Sequence, residues 1–195
     1  MKIQLTIILI FSTVLSLNSQ IDSAFLNPKM LKLAETNSHR GWVRIKPEIN
    51  YNAKTFFTEN KDAFGLNAND DLKFKSSHTD ELGLTHYKFQ QYHKGVKVEN
   101  CEYILHEKSG KTLSANGYIA NELEIQTIPN ISELKALDIA LQEVNATKYK
   151  WEDPKKEDKE SFPQYPKGEL IVARIKNNGD FSNENFRLTY RFTIT

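Results

Sequence analysis

The chain has 195 residues, 39% of them hydrophobic, with 26 Lys and Arg against 25 Asp and Glu and a single cysteine. A formal charge of +1 suggests no basic surface for nucleic acid, and one cysteine makes neither an internal disulfide nor a cysteine-rich zinc site. Aromatic residues at 11% and charged residues at 26% fit a folded domain of ordinary size, or two small ones, and not a disordered tail.

Lys2, the mostly apolar run from Ile3 to Leu17, and then Asn18, Ser19 and Gln20 have the layout of a secretory signal peptide at 1–19. The run is shorter than the ~20 residues that span a bilayer, so no stable membrane anchor is expected and the chain reads as secreted or periplasmic. Without this leader the basic and acidic side chains balance at 25 each. In an exported chain an unpaired Cys101 reads as a small buried apolar residue.

Residues 20–52 read as an irregular or partly extended lead with two apolar islands, 29–34 and 42–45. A helix is expected over 53–64, with Asn52 as its cap, Phe56, Phe57 and Phe64 on one buried stripe, and Gly65 as its stop. Residues 67–71 read as a turn that includes Asp70 and Asp71. The alternation in 85–92 predicts a half-buried strand, Tyr87 and Phe89 inward and His86, Lys88 and Gln90 outward. Lys94-Gly95 turns it into Val96 and Val98, and further strands are expected at 102–107 and 112–115, with Asn116-Gly117 turning the chain again.

Such a meander must bury one face, and a helix starting at Ser132 is its expected cover, through Leu134, Leu137, Leu141 and Val144. Eight of the nine residues in 152–160 are charged, and Pro154, Pro163 and Pro166 punctuate this region, which predicts a solvated loop. Strands at 169–175 and 186–194 follow, joined by a turn at 177–180. In the second, Phe186, Leu188, Tyr190, Phe192 and Ile194 line one face. The fold class is α+β: an antiparallel meander with covering helices. The last strand is barely finished at Thr195, which leads us to expect an interrupted unit.

No catalytic or metal-binding constellation is visible. Of the five histidines, at 39, 78, 86, 93 and 106, His106-Glu107 begins like the zinc-protease H-E-x-x-H helix, but Gly110 stands where the second ligand belongs. His86, His93 and Cys101 lack the close-pair spacing of a metal set. There is no phosphate loop, no nucleophile elbow and no basic stripe.

The run Thr85-His86-Tyr87-Lys88-Phe89-Gln90-Gln91, continuing through Gly95, Val96 and Val98 to Asn116-Gly117, resembles the fungalysin/thermolysin propeptide (FTP) domain. That domain is expected over 53–125, and 126–195 resembles a PepSY-type unit, incomplete at its end. The resemblance implies cystatin-like and PepSY-like units and a non-catalytic prosegment of a secreted thermolysin-like zinc metalloprotease. Such a prosegment acts as intramolecular chaperone and inhibitor, and its partner is the protease's catalytic domain, in cis or in trans. Zinc would belong to that domain, and no cofactor is expected in this chain. A fragment of a full proenzyme and an independent secreted binding module are the competing expectations. His86, Lys88 and Gln90 are the candidate docking row.

Overall fold

In a computed structural model the described residues are 27–38, 41–152, 165–175 and 185–195. The signal peptide, His39, the charged loop from 153 to 164 and the turn at 177–180 lie outside them. Among the described residues no helix is long and apolar enough to cross a membrane.

The lead is more regular than expected. Asn27 caps a short helix, α1 (Pro28–Leu33), by accepting from the backbone N–H groups of Lys29 and Met30, with Pro28 in the first turn. Strand β1 (Trp42–Arg44) pairs antiparallel with a later strand. The helix expected over 53–64 is shorter: α2 (Phe56–Asn60) tightens into a 3-10 turn (Lys61–Phe64), which Gly65 ends with φ 72°. Asn52 does not cap α2. Its side chain accepts from Lys54 N–H one turn too early, because a three-phenylalanine wedge sets where the helix lies.

Six further strands follow among the described residues before and after the last helix. β2 (Asp70–Thr79), whose first two residues fall in the expected turn at 67–71, pairs with β3 (Leu84–His93). β4 (Val96–Lys108) is one strand of 13 residues where two were expected, and β5 (Lys111–Gly117) returns along its second half. After the helix α3 (Glu133–Val144) come β6 (Glu169–Arg174) and β7 (Phe186–Arg191). The sheet runs β1-β5-β4-β3-β2, and β6 takes the edge of β4 that β5 vacates, pairing parallel at Lys97 with Ile171 and Val98 with Val172. β7 extends the sheet from β6 with its expected alternation. The architecture is thus α+β, a mostly antiparallel sheet with few helices.

One face of the sheet is closed by aromatic rings. Phe57 meets Phe64, Phe89 and Tyr103 at centroid distances of 5.0, 4.8 and 5.5 Å in edge-on geometry, with Met30, Leu33, Val43, Leu105 and Ala115 around them. Each buried ring contributes about 1.5–3 kcal/mol, so this layer, not α3, is the main cover. A second, smaller core gathers Val98, Cys101, Ala120, Leu123, Val172 and Phe186 where β4 meets β6.

The expected cover helix is therefore corrected. α3 begins as predicted, with Ser132 Oγ accepting from Lys135 N–H at 3.2 Å, yet Leu137 is its one buried residue while Leu134, Ile139 and Val144 are exposed. The phenylalanine wedge already occupies the face it was expected to fill. α3 instead lies beside β6 and β7, where Glu133 Oε1 accepts from Gly168 N–H at 2.7 Å and a groove of about 890 Å³ remains.

Asn116-Gly117 is also not a turn, because β5 runs through it. Gly117 sits at φ 151°, and a Cβ there would lie 2.2 Å from the Glu102 carbonyl oxygen and 2.7 Å from Tyr103 Cα. Only glycine permits this approach of two backbones. Gly117→Ala should lower stability by about 2–4 kcal/mol in urea unfolding. Gly110→Ala, at φ 76° but in open space, should cost only about 1–2 kcal/mol.

Candidate functional site

The motif strand β3 cannot stay in register with β4. Glu102 pairs with Gln90 and Lys97 with Tyr92, so residues 98–101 of β4 bulge opposite the single residue Gln91, with Asn100 at φ 58°. A bulge strands backbone carbonyls, and buried ones need donors. Gln90 supplies them. Its Nε2 donates towards the carbonyl oxygens of Val98, Cys101 and Gln91 at 2.7, 3.0 and 3.0 Å. Gln90 was expected on the outer row, but it is 4% exposed and serves the fold.

Gln91 does the equivalent for the chain leaving β5. Its Nε2 donates to Ala120 O at 2.6 Å and its Oε1 accepts from Ala120 N–H at 2.9 Å, so one side chain pairs as a neighbouring strand would. Two residues on, His93 Nδ1 lies 2.8 Å from Asp70 Oδ1 and His93 Nε2 3.3 Å from Ile125 O, with both side chains fully buried. Both ring nitrogens thus meet oxygen acceptors, and the ring bridges the Asp70 carboxyl and the Ile125 carbonyl. Asp70 is therefore no solvated turn acid. It opens β2, and with His93 it holds the segment after β5 against β3.

The opposite face of the sheet is open and carries polar chemistry. His78, His86 and His106 stand opposite one another on β2, β3 and β4. The His78 and His86 rings stack at 4.8 Å, and Trp42, itself 42% exposed, stacks on His106 at 5.8 Å. His86 Nε2 reaches Asp80 at 3.1 Å. Lys88 lies 3.1 Å and Lys75 2.6 Å from Glu102, whose carboxyl is held below the usual range by Lys75 first and Lys88 second. Of the expected docking row, His86 and Lys88 are partly exposed on this face, whereas Gln90, opposite Glu102 in register, is buried.

The same geometry disposes of other arrangements. His106 and Glu107 are successive strand residues and so point to opposite faces. His86, His93 and Cys101 have separate surroundings: the open face, the Asp70 pair and the second core. Among the described residues no three His, Cys, Asp or Glu side chains are placed to hold a metal. Cys101 is buried, and desolvation pushes its thiol up to about 12.

The rest of the motif is structural. Phe89 and Val98 are core residues, Lys94-Gly95 forms a tight turn with φ 46° and 81°, and Val96 packs on the second core. Asn116 reaches His106. Asp70, His78, Asp80 and Trp42 were missed by sequence reasoning. Asp80-x-x-Gly83 is a turn signal that could have revealed the β2–β3 hairpin and hence the histidine row.

Removing one partner of the buried pair leaves the other without its hydrogen bond. Asp70→Asn should cost about 1–3 kcal/mol in urea unfolding. Cys101 should resist a thiol reagent at pH 8 in the native chain and react fully once unfolded.

Comparison with known proteins agrees with this layout. Residues 70–119, from the first residue of β2 to just past β5, match the Fungalysin/Thermolysin Propeptide Motif. Bacillolysin of Bacillus amyloliquefaciens is 26% identical over 144 residues, 72% of this chain and 25% of that protein. Bacillolysin of Bacillus subtilis (strain 168) gives the same identity and coverage. The chain thus spans about a quarter of the length of these relatives. Its strands β2 to β5 form a fungalysin/thermolysin propeptide domain.

Proposed function

We propose that this chain is the non-catalytic prosegment of a secreted thermolysin-like zinc metalloprotease, and that it assists folding of the catalytic domain and inhibits it. The observation that carries this reading is the propeptide match over β2 to β5, whose motif residues Gln90 and Gln91 hold the sheet together from inside. A sheet braced on its closed side leaves its open side available to a partner. His86 and Lys88 are then the docking residues, and Gln90 supports them from within. A prosegment that binds only the native protease stabilises it by mass action.

The finer assignments belong to the same proposal. The strands and helices are read as cystatin-like and PepSY-like units, residues 126–195 as the PepSY-type one, and the leader at 1–19 as the export signal. Zinc is a property of the partner's catalytic domain, and nucleic acid and membrane anchoring play no part. The share of the bacillolysins that is matched, about a quarter, favours a second reading alongside the first: this region works in cis as the N-terminal part of a full proenzyme.

Refolding a thermolysin-like catalytic domain with and without this chain tests the proposal. Added chain should raise the recovered activity after dilution from denaturant and, in excess, should inhibit the folded enzyme. His86→Ala/Lys88→Ala should weaken inhibition by roughly tenfold or more while leaving the chain folded. No gain in recovery and no inhibition would remove the prosegment reading. Normal inhibition by the double variant would remove the open face from it.

A further inference from the structure

The row of histidines on the open face contains a pair whose protons can be counted. His86 Nε2 lies 3.1 Å from Asp80 Oδ2, and His106 Nε2 lies 2.5 Å from Asn116 Oδ1. Asp80 is an acceptor, so His86 Nε2 carries hydrogen, while the Asn116 amide can meet His106 Nε2 with its oxygen or, turned over, with its Nδ2. The two inner nitrogens, His86 Nδ1 and His106 Nδ1, face each other at 2.7 Å. Two bare lone pairs would repel at that distance, and two N–H groups would collide, so one proton lies between them. At most three protons therefore occupy the four nitrogens, and the pair cannot hold the charge of two imidazolium rings.

We infer that the His86–His106 pair is an acid-sensitive latch built into the sheet, tying β3 to β4 through one shared proton and opening when it takes up another. The latch belongs to the fold itself and stands whether or not the open face docks a protease.

Of the groups around the pair, the Asp80 carboxylate favours one positive charge, and the flanking cations oppose a second. Asp80, from the turn between β2 and β3, is the carboxylate in contact with it. His78 on β2 stacks on His86, and Trp42 on β1 stacks on His106. Lys88 and Lys108 flank the pair two residues along β3 and β4, and Arg44 on β1 stands opposite Ser114, which stands opposite His106. Glu102 is already engaged by Lys75 and Lys88. The Asp80 carboxyl is held below the usual range, first by the Leu84 N–H and then by His86, so it stays ionised while histidines titrate.

The direction of the effect follows from proton counting. In the unfolded chain two separate imidazoles titrate near pH 6.5 and below it approach two bound protons, where the latched pair holds one. The state that binds fewer protons loses ground as pH falls. From pH 6.5 to 5.0 the pair's contribution to the folding equilibrium constant falls about eightfold. Above pH 6.5, rotation of the Asn116 amide presents its Nδ2 to His106 Nε2 and preserves the bond without the shared charge, so the loss is confined to acid.

The test uses the full chain. Folding equilibrium constants from urea titrations at pH 6.5 and 5.0 are compared between the native sequence and His86→Gln/His106→Gln. The native chain should lose about eightfold more than the variant over this interval, and equal losses would overturn the latch. If the variant does not fold, nitrogen NMR of the native chain decides. At pH 6.5 the two Nδ1 signals should lie between the protonated and bare positions, and both should move to the protonated position by pH 5.0. Both Nδ1 signals already at the protonated position at pH 6.5, or still between the two positions at pH 5.0, would overturn the inference.

Discussion

Where β3 and β4 fall out of register, four residues of one strand face one residue of the other, and the resulting carbonyls are buried. A buried carbonyl without a donor costs about 1–3 kcal/mol, and the bulge exposes several at once. Gln90 answers this from within the strand pair, and Gln91 answers it for the chain that leaves β5 towards α3. Much else follows from that repair. The bulge turns the first half of β4 away from β5, which frees its edge for β6 and so brings β7 into the same sheet. Asp70 and His93 then fix the departing segment at Ile125.

The consequence is a sheet with two unequal faces. Phe57, Phe64, Phe89 and Tyr103 seal one of them, so its cohesion comes from apolar burial. The other is held by directional groups: the histidine row, Asp80, Asn116 and the Lys75–Glu102–Lys88 cluster. A prosegment must hold its own shape and still offer a surface that a partner can engage and later release. Apolar closure on one side and polar exposure on the other meet both requirements.

Sequence periodicity revealed the strands that are half-buried and regular. The alternation around Tyr87 and Phe89 placed β3, and the Phe186 to Tyr190 alternation placed β7. It failed beside the bulge, where burial departs from the alternation. Gln90 keeps the polar spacing of an outward residue, yet register with β4 makes it a buried donor, and no local pattern carries that register. Asp70 looks like a turn residue until His93 is brought to it across β2 and β3. Gly117 looks like half of a turn because Asn-Gly usually is one. Here its glycine answers a backbone 15 residues earlier. β2 was invisible because, apart from Leu72 and Phe74, it is an exposed polar strand. The helix α3 was legible from its cap and spacing, but its packing partner was not, since spacing says which face is apolar and not what covers it.

Hydrogen exchange of the chain, measured alone and with a thermolysin-like catalytic domain in excess, tests the central claim most directly. If the open face is the docking surface, protection should rise in the outer strand β2 and around His86, Lys88, His106 and Asn116. Exchange behind the phenylalanine layer, already slow, should change little. Unchanged exchange across those strands, or new protection confined to α3 and β7, would contradict the account.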